Sequence, residues 1–200
     1  MNILSIESSF DVCGTSLVVN DKHLETIERK ESKVHSKLLA VYVNDILQNN
    51  KITIKDIDCI AVSVGPGSYT GLRIGISLAK GLALPYDKSI YPISSFEIAK
   101  FQINKHSNFS VAYHSHRDFV YHCYFENSSM ASKPEICHLE EITAKNIYGY
   151  NLDLISKETI YNEIKPSSKA LSEYVLENKK SKFTAINKIS PIYLSLTDGI

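Results

Sequence analysis

The stretch from Cys59 to Pro85, CIAVSVGPGSYTGLRIGISLAKGLALP, constrains the fold more than any other part of the chain. Its first six residues, Cys59 to Val64, form a nearly unbroken apolar run without the alternation of a half-exposed strand, so they predict a strand buried on both faces. The turn-rich loop Gly65-Pro66-Gly67-Ser68-Tyr69-Thr70-Gly71 follows, and then a helix from about Leu72 to Leu84 that Pro85 stops. A covered strand that feeds directly into a helix places the chain in the α/β class.

That helix is too apolar for an ordinary surface position. Between Gly71 and Leu84 the polar residues Arg73, Ser77 and Lys80 fall on one narrow stripe. A helix that is apolar nearly all round has to be covered on more than one side. Gly71, Gly75, Ala79 and Ala83 recur every four residues, a flat ridge on which another helix backbone can approach closely. An earlier helical pattern, Val34 to Gln48, has Ser32 as its expected N-cap and ends at Asn49-Asn50. It carries the same excess, with Leu38, Leu39, Val41, Tyr42, Val43, Ile46 and Leu47 wrapping beyond a single stripe.

The expectation is a seam for a second polypeptide. Leu38, Leu39, Tyr42, Val43 and Ile46 would carry it on one helix, and Leu72, Gly75, Ile76, Ala79, Lys80 and Ala83 on the other. Two subunits meeting there would form a helical bundle and bury about 800 Å² each. The competing expectation is that the chain's own second half covers these faces.

Around this centre, Asn2 to Glu7, Cys13 to Val19 and His23 to Lys30 read as an antiparallel opening of three strands. A strand near Ser89 to Pro92 and a helix near Ser95 to Asn104 complete a βββαβαβα lobe over residues 1–104. Residues 105–200 read as a second, smaller lobe with strands at Ser110 to Tyr113, Phe119 to Glu126 and Glu135 to His138 and a helix from about Ser167 to Lys179. Six of the eight glycines lie at or before Gly81, so the second half has few places where a backbone can approach a ligand closely.

Composition excludes several function classes. Lysine plus arginine equal aspartate plus glutamate at 22 each, and no block of like charge stands out, so a broad direct footprint on nucleic acid is not expected. No apolar run approaches the roughly 18 residues of a membrane span, and Met1 to Ile6 lacks a basic lead, so a cytoplasmic protein without membrane contact is expected. Cys13, Cys59, Cys123 and Cys137 contain no CxxC pair and read as reduced thiols. His114, His116, His122 and Cys123 form a denser cluster, but nothing in sequence completes a ligand frame, and no metal site is expected.

The glycine loop has two readings. A loop between a buried strand and a helix can present backbone amides to an anion, which makes Gly65, Gly67, Ser68, Thr70 and Arg73 candidates for phosphate or nucleotide contact. It has neither the Gly-Lys-Ser/Thr of a Walker loop nor a GxGxxG register. A tight turn at Gly65-Pro66-Gly67, with Ser68 or Thr70 capping the helix, accounts for the same residues. Ser68 sits in no GxSxG elbow, and Glu140-Glu141 and Asp56/Asp58 read as solvated surface carboxylates.

Four segments carry a family resemblance: Ile3-Leu4-Ser5-Ile6-Glu7-Ser8-Ser9, His35-Ser36-Lys37-Leu38-Leu39, the run Ala61 to Gly75 (AVSVGPGSYTGLRIG) and Ala79-Lys80-Gly81-Leu82-Ala83. Together they resemble the bacterial TsaB family of tRNA threonylcarbamoyladenosine biosynthesis proteins (YeaZ-like). Weaker echoes continue in Ser94-Ser95-Phe96-Glu97, Arg117-Asp118-Phe119-Val120-Tyr121 and Pro191-Ile192-Tyr193-Leu194. The resemblance implies an actin-like ATPase (ASKHA, ribonuclease H-like) fold, with two lobes of mixed sheets flanked by helices and the second lobe reduced.

It also implies a non-catalytic partner subunit, dimerising with a TsaD-like catalytic paralogue and joined by a TsaE-like ATPase. That complex adds threonylcarbamoyl to the adenosine beside the anticodon of ANN-decoding tRNAs. Helices 34–48 and 71–84 would form the shared bundle, with a homodimer when the chain is alone and tRNA reached only through the complex. ATP and a divalent metal would sit on the partner subunits, none being bound firmly here.

Two sequence features fit the absence of chemistry. His35 stands four residues from Glu31 and Leu39, so no HxxxH metal grip exists there, and after Gly81 only Gly149 and Gly199 could serve glycine-rich nucleotide loops. Departures are also present. Glu7-Ser8-Ser9 stands where the family's first strand ends Asp-Thr-Ser, which marks Glu7, Ser8 and Ser9 as an altered ligand or structural corner, and Ser115-His116-Arg117 replaces Asp-Ala-Arg. The alternatives are a stand-alone ASKHA kinase or ATPase that uses the glycine loop for phosphate, and a glycoprotease-like peptidase.

Overall fold

Two buried strands and a more polar, partly exposed third open the chain as β1 (Ile3–Glu7), β2 (Val12–Val19) and β3 (Lys22–Lys30), antiparallel in sequence order. Asn20 and Asp21, both at positive φ, make the tight β2–β3 turn, a conformation that Asn and Asp tolerate better than most residues. The structure is a computed structural model and describes residues 1–30, 35–103, 108–127, 129–178 and 184–195, so the expected cap Ser32 lies outside the described residues.

The chain continues through α1 (His35–Asn49), β4 (Cys59–Gly65), α2 (Tyr69–Ala83), β5 (Ser89–Ser94) and α3 (Ser95–Ile103). It then forms β6 (Phe109–His116), β7 (Phe119–Glu126), β8 (Ser129–Met130), β9 (Glu135–His138), β10 (Ile147–Tyr150), β11 (Asn162–Glu163) and α4 (Ser168–Glu177). No helix among the described residues is long and apolar enough to cross a membrane.

These elements build two units. The first comprises Met1–Ile98 with Pro166–Ile192. Its mixed five-stranded sheet runs β3-β2-β1-β4-β5, with β1 parallel to β4 and β4 parallel to β5. Every residue of β1 and β4 is buried, because both faces of the sheet are covered.

The pleat sorts the side chains between the two faces. Leu4, Ile6, Ile60, Val62 and Val64 point into a core with Leu39, Val43, Ile46, Ile76 and Ala79 of α1 and α2. Ile3, Cys59, Ala61, Tyr91 and Ile93 point the other way, onto Ala170, Leu171 and Val175 of α4. Glu28 of β3 holds that last helix in place: one carboxylate oxygen accepts from the Ser168 amide and hydroxyl, from the Ser167 hydroxyl at 3.1 Å and from the Lys169 amide at 3.3 Å. A carboxylate at a helix N-terminus satisfies otherwise unpaired amides and complements the helix dipole. Gly14 opposite leaves the room, since a Cβ there would meet the Glu28 side chain at 2.5 Å.

The expected lobe boundary at residue 104 is therefore corrected. The helix expected in the second lobe supplies the second cover of the first sheet, which a sheet apolar on both sides requires. The second unit comprises Ala99–Lys165 and residues 193–195 among those described. Its sheet runs β11-β10-β6-β7-β8, with β9 also paired to β7. Ala112, Val120, Leu139 and Leu152 form its small core, and Phe109 stacks on Phe125 at 5.0 Å.

Candidate functional site

The glycine loop meets the corner after β1. Gly65 adopts φ +101, and a side chain at that position would also strike Leu72. Ser68 caps α2, its hydroxyl accepting from the Gly71 amide at 3.2 Å, which is why the helix begins at Tyr69, earlier than periodicity alone suggests. The Ser68 amide donates to the Ser9 carbonyl at 2.6 Å, and the Ser8 hydroxyl donates to the Gly71 carbonyl at 2.9 Å. A Cβ on Gly67 would fall 2.1 Å from the Ser9 carbonyl oxygen, and one on Gly71 would fall 2.1 Å from that of Ser8. The glycines thus let two stretches of this chain's own backbone touch.

Glu7 closes the corner. Its side chain is buried, and one oxygen accepts from the Ser9 amide at 2.7 Å and from the Ser9 hydroxyl. Burial pushes its pKa up to about 7, against the opposing pull of the Ser9 hydroxyl and amide, with Glu28 adding a smaller upward push. The side of Gly67 and Gly71 that could approach an anion is taken by Ser9 and Ser8, the Ser68 amide is engaged, and a buried carboxyl group already takes the Ser9 donors. Glu7, Ser8, Ser9 and Gly67 thus hold one another in a packed corner, and Gly65 turns the chain beside Leu72. Ser68, Thr70 and Arg73 are exposed, with the Arg73 guanidinium lying over the Tyr69 ring at 3.9 Å.

The helix faces need a larger correction. Leu39, Tyr42, Val43, Ile46, Leu72, Gly75, Ile76, Ala79 and Ala83, all expected at a partner seam, are buried within the first unit. The physical reason is that α1 and α2 lie side by side over one face of a wide sheet, so each helix turns apolar residues both to the sheet and to its neighbour. Leu38 and Lys80 are half-buried. What faces outward is Lys37, Val41, Asn44 and Gln48 on α1, and Thr70, Arg73, Ser77 and Gly81 on α2. Val41 is 47% exposed. Gly81 has open space where a Cβ would stand.

In the second unit the histidines separate. His114 bonds the Arg117 carbonyl at 3.0 Å, and His116 bonds the Ser115 hydroxyl and stacks on Phe119, the β6–β7 register shifting between the two histidines. His122 lies between Ser110, whose hydroxyl is 2.9 Å from Nε2, and Glu135, whose carboxylate is 3.0 Å from Nδ1. The order serine, histidine, carboxylate resembles a hydrolase relay, but Ser110 is 1% exposed on an internal strand, where no acyl group can reach it. Cys137, rather than Cys123, joins this group: donor atoms of His122, Glu135 and Cys137 all lie within 4.8 Å of one another. Sequence spacing gave no sign of it, because the three meet only through the β7–β9 register. Burial pushes the Cys137 thiol up to about 12, with Glu135 and Glu141 adding to the rise, and the Cys123 thiol up to about 11.

Residues 27–177 match the family described as TsaD: tRNA N6-adenosine threonylcarbamoyltransferase. A protein of Buchnera aphidicola subsp. Acyrthosiphon pisum named tRNA threonylcarbamoyladenosine biosynthesis protein TsaB is 27% identical over 217 residues, covering 96% of this chain and 97% of its own length. The Bacillus subtilis protein of the same name is 37% identical over 97 residues, 48% of this chain and 42% of its own length. With that relative the alignment therefore spans less than half of either protein. The structure of YeaZ from Pseudomonas aeruginosa superposes with a TM-score of 0.78 at 18% identity, over 96% of this chain and 99% of that one, a likeness of fold.

Proposed function

The chain belongs to the tRNA N6-adenosine threonylcarbamoyltransferase family, and from that membership we propose that it is the partner subunit, rather than the catalytic one, in tRNA threonylcarbamoyladenosine synthesis. It docks a TsaD-like catalytic paralogue through the outer side of α1 and α2, and forms a homodimer through the same side when alone. A TsaE-like ATPase completes the complex. ATP and a divalent metal belong to those partners, tRNA is reached only through the assembled complex, and the work takes place in the cytoplasm.

The observation that carries this reading is the corner at Glu7, Ser8 and Ser9. The position where an actin-like enzyme would admit phosphate is packed with this chain's own backbone. Val41, Ser77 and Gly81 leave a flat outer surface on two adjacent helices, on which facing helices can come close. A relative that carries the biosynthesis name and aligns over nearly the whole chain supports the pathway.

Gly81→Arg with Val41→Glu tests the docking side. Both positions are exposed and a Cβ at 81 has open space among the described residues, so the doubly substituted protein is expected to keep its melting temperature within a few degrees and to lose co-purification with a co-expressed TsaD-like protein. Retained association would remove the α1–α2 side as the interface. Normal threonylcarbamoyladenosine in tRNA after depletion of the chain, measured by mass spectrometry, would remove the pathway.

A further inference from the structure

The second unit holds a set of donors that the proposed partner role does not use. His122 on β7 pairs directly with Glu135 on β9, and Cys137 lies two residues further along β9, on the same face. One imidazole, one carboxylate and one thiol thus converge from two strands, with their donor atoms within 4.8 Å of one another. The His122 ring is oriented before any ion arrives: Ser110 on β6 engages Nε2 at 2.9 Å and leaves Nδ1 facing Glu135. A histidine whose second nitrogen is fixed by an oxygen partner is the usual preparation of a metal ligand.

We propose that His122 Nδ1, Glu135 and Cys137 bind one zinc-class divalent transition-metal ion, with a water molecule in the fourth position. Donor chemistry sets the class. A thiolate with an imidazole suits zinc or cobalt, whereas magnesium and calcium take oxygen ligands. In a tetrahedral zinc shell donor atoms stand about 3.5 Å apart, so the three groups need to shift by only about an ångström. Glu135 is 53% exposed at its side chain and can swing to complete the set, while the nearly buried His122 stays fixed. On coordination the Cys137 thiol releases its proton to solvent and sulfur forms the bond to the metal. The ion ties the four-residue strand β9 to β7, a structural clip in the second unit.

Cobalt(II) added to the whole chain, freed of metal by chelation, is the probe. One equivalent is expected to bind and give the near-ultraviolet thiolate-to-cobalt charge-transfer band; zinc is expected to displace it and to raise the melting temperature. Cys137→Ser is expected to abolish the band. Glu135→Gln, exposed and harmless to folding, is expected to weaken cobalt binding about tenfold or more. No band with the unaltered protein overturns the proposal. So does a band that survives in Cys137→Ser, which would place the sulfur elsewhere, or an unchanged affinity in Glu135→Gln.

Discussion

The two ends of α2 use the same residue for opposite purposes. At its start, Gly67 and Gly71 lie against the carbonyls of Ser9 and Ser8 so closely that any side chain would overlap them. Near its finish, Gly81 is exposed, with open space among the described residues where a Cβ would stand. The run Gly71, Gly75, Ala79 and Ala83 at four-residue spacing is buried throughout and locks the helix onto its own unit. Gly81, which lies off that row, is the glycine of the helix left available to another molecule.

Substitutions separate the two ends, beginning with the strongest effect. Gly71→Ala places a methyl group 2.1 Å from a backbone oxygen that cannot rotate away, so unfolding free energy is expected to fall by about 4 kcal/mol in a urea titration. A loss below about 1 kcal/mol would show that the corner can open, and would restore room for an anion there.

Glu7→Gln probes the same corner by charge. Its pKa is about 7 in the folded chain against an ordinary 4.5, so between those values the folded state holds a proton that the unfolded state has lost. Stability contributed by the neutral acid is complete below about pH 4.5 and declines as pH rises through 7. Above that, the buried charge costs on the order of 3 kcal/mol. The glutamine protein is expected to be more stable than the original at pH 8, with the difference vanishing near pH 4; a difference independent of pH would show that Glu7 is not desolvated as described.

Gly81→Ala, at the open end, is expected to stabilise the chain by roughly 0.5–1 kcal/mol, because alanine loses less backbone entropy in a helix and no neighbour objects. Destabilisation instead would mean that this end is covered.

Much of the first unit was legible from local pattern. The antiparallel opening, the doubly buried strand Cys59–Gly65 and the glycine turn capped by Ser68 follow from apolar periodicity and turn chemistry. The short strands Ser129–Met130, Ile147–Tyr150 and Asn162–Glu163 were not expected, since two to four residues give periodicity too little length to register. The apolar excess of α1 and α2 was read correctly as a demand for double cover, but the cover for Leu39, Ile46, Ile76 and Ala79 is this unit's own sheet and neighbouring helix. Burial requires a partner surface without naming whose it is.

Sequence alone determined the order of elements as far as α3, the α/β class and the family, because each rests on short-range pattern or on motifs contiguous in the chain. Only the tertiary structure decided that the carboxy-terminal helix roofs the first sheet, that the glycine loop receives Ser8 and Ser9, and that His122, Glu135 and Cys137 share a face. Those are facts of strand register and of which surface remains uncovered once neighbouring elements have packed, and neither is encoded in spacing along the chain.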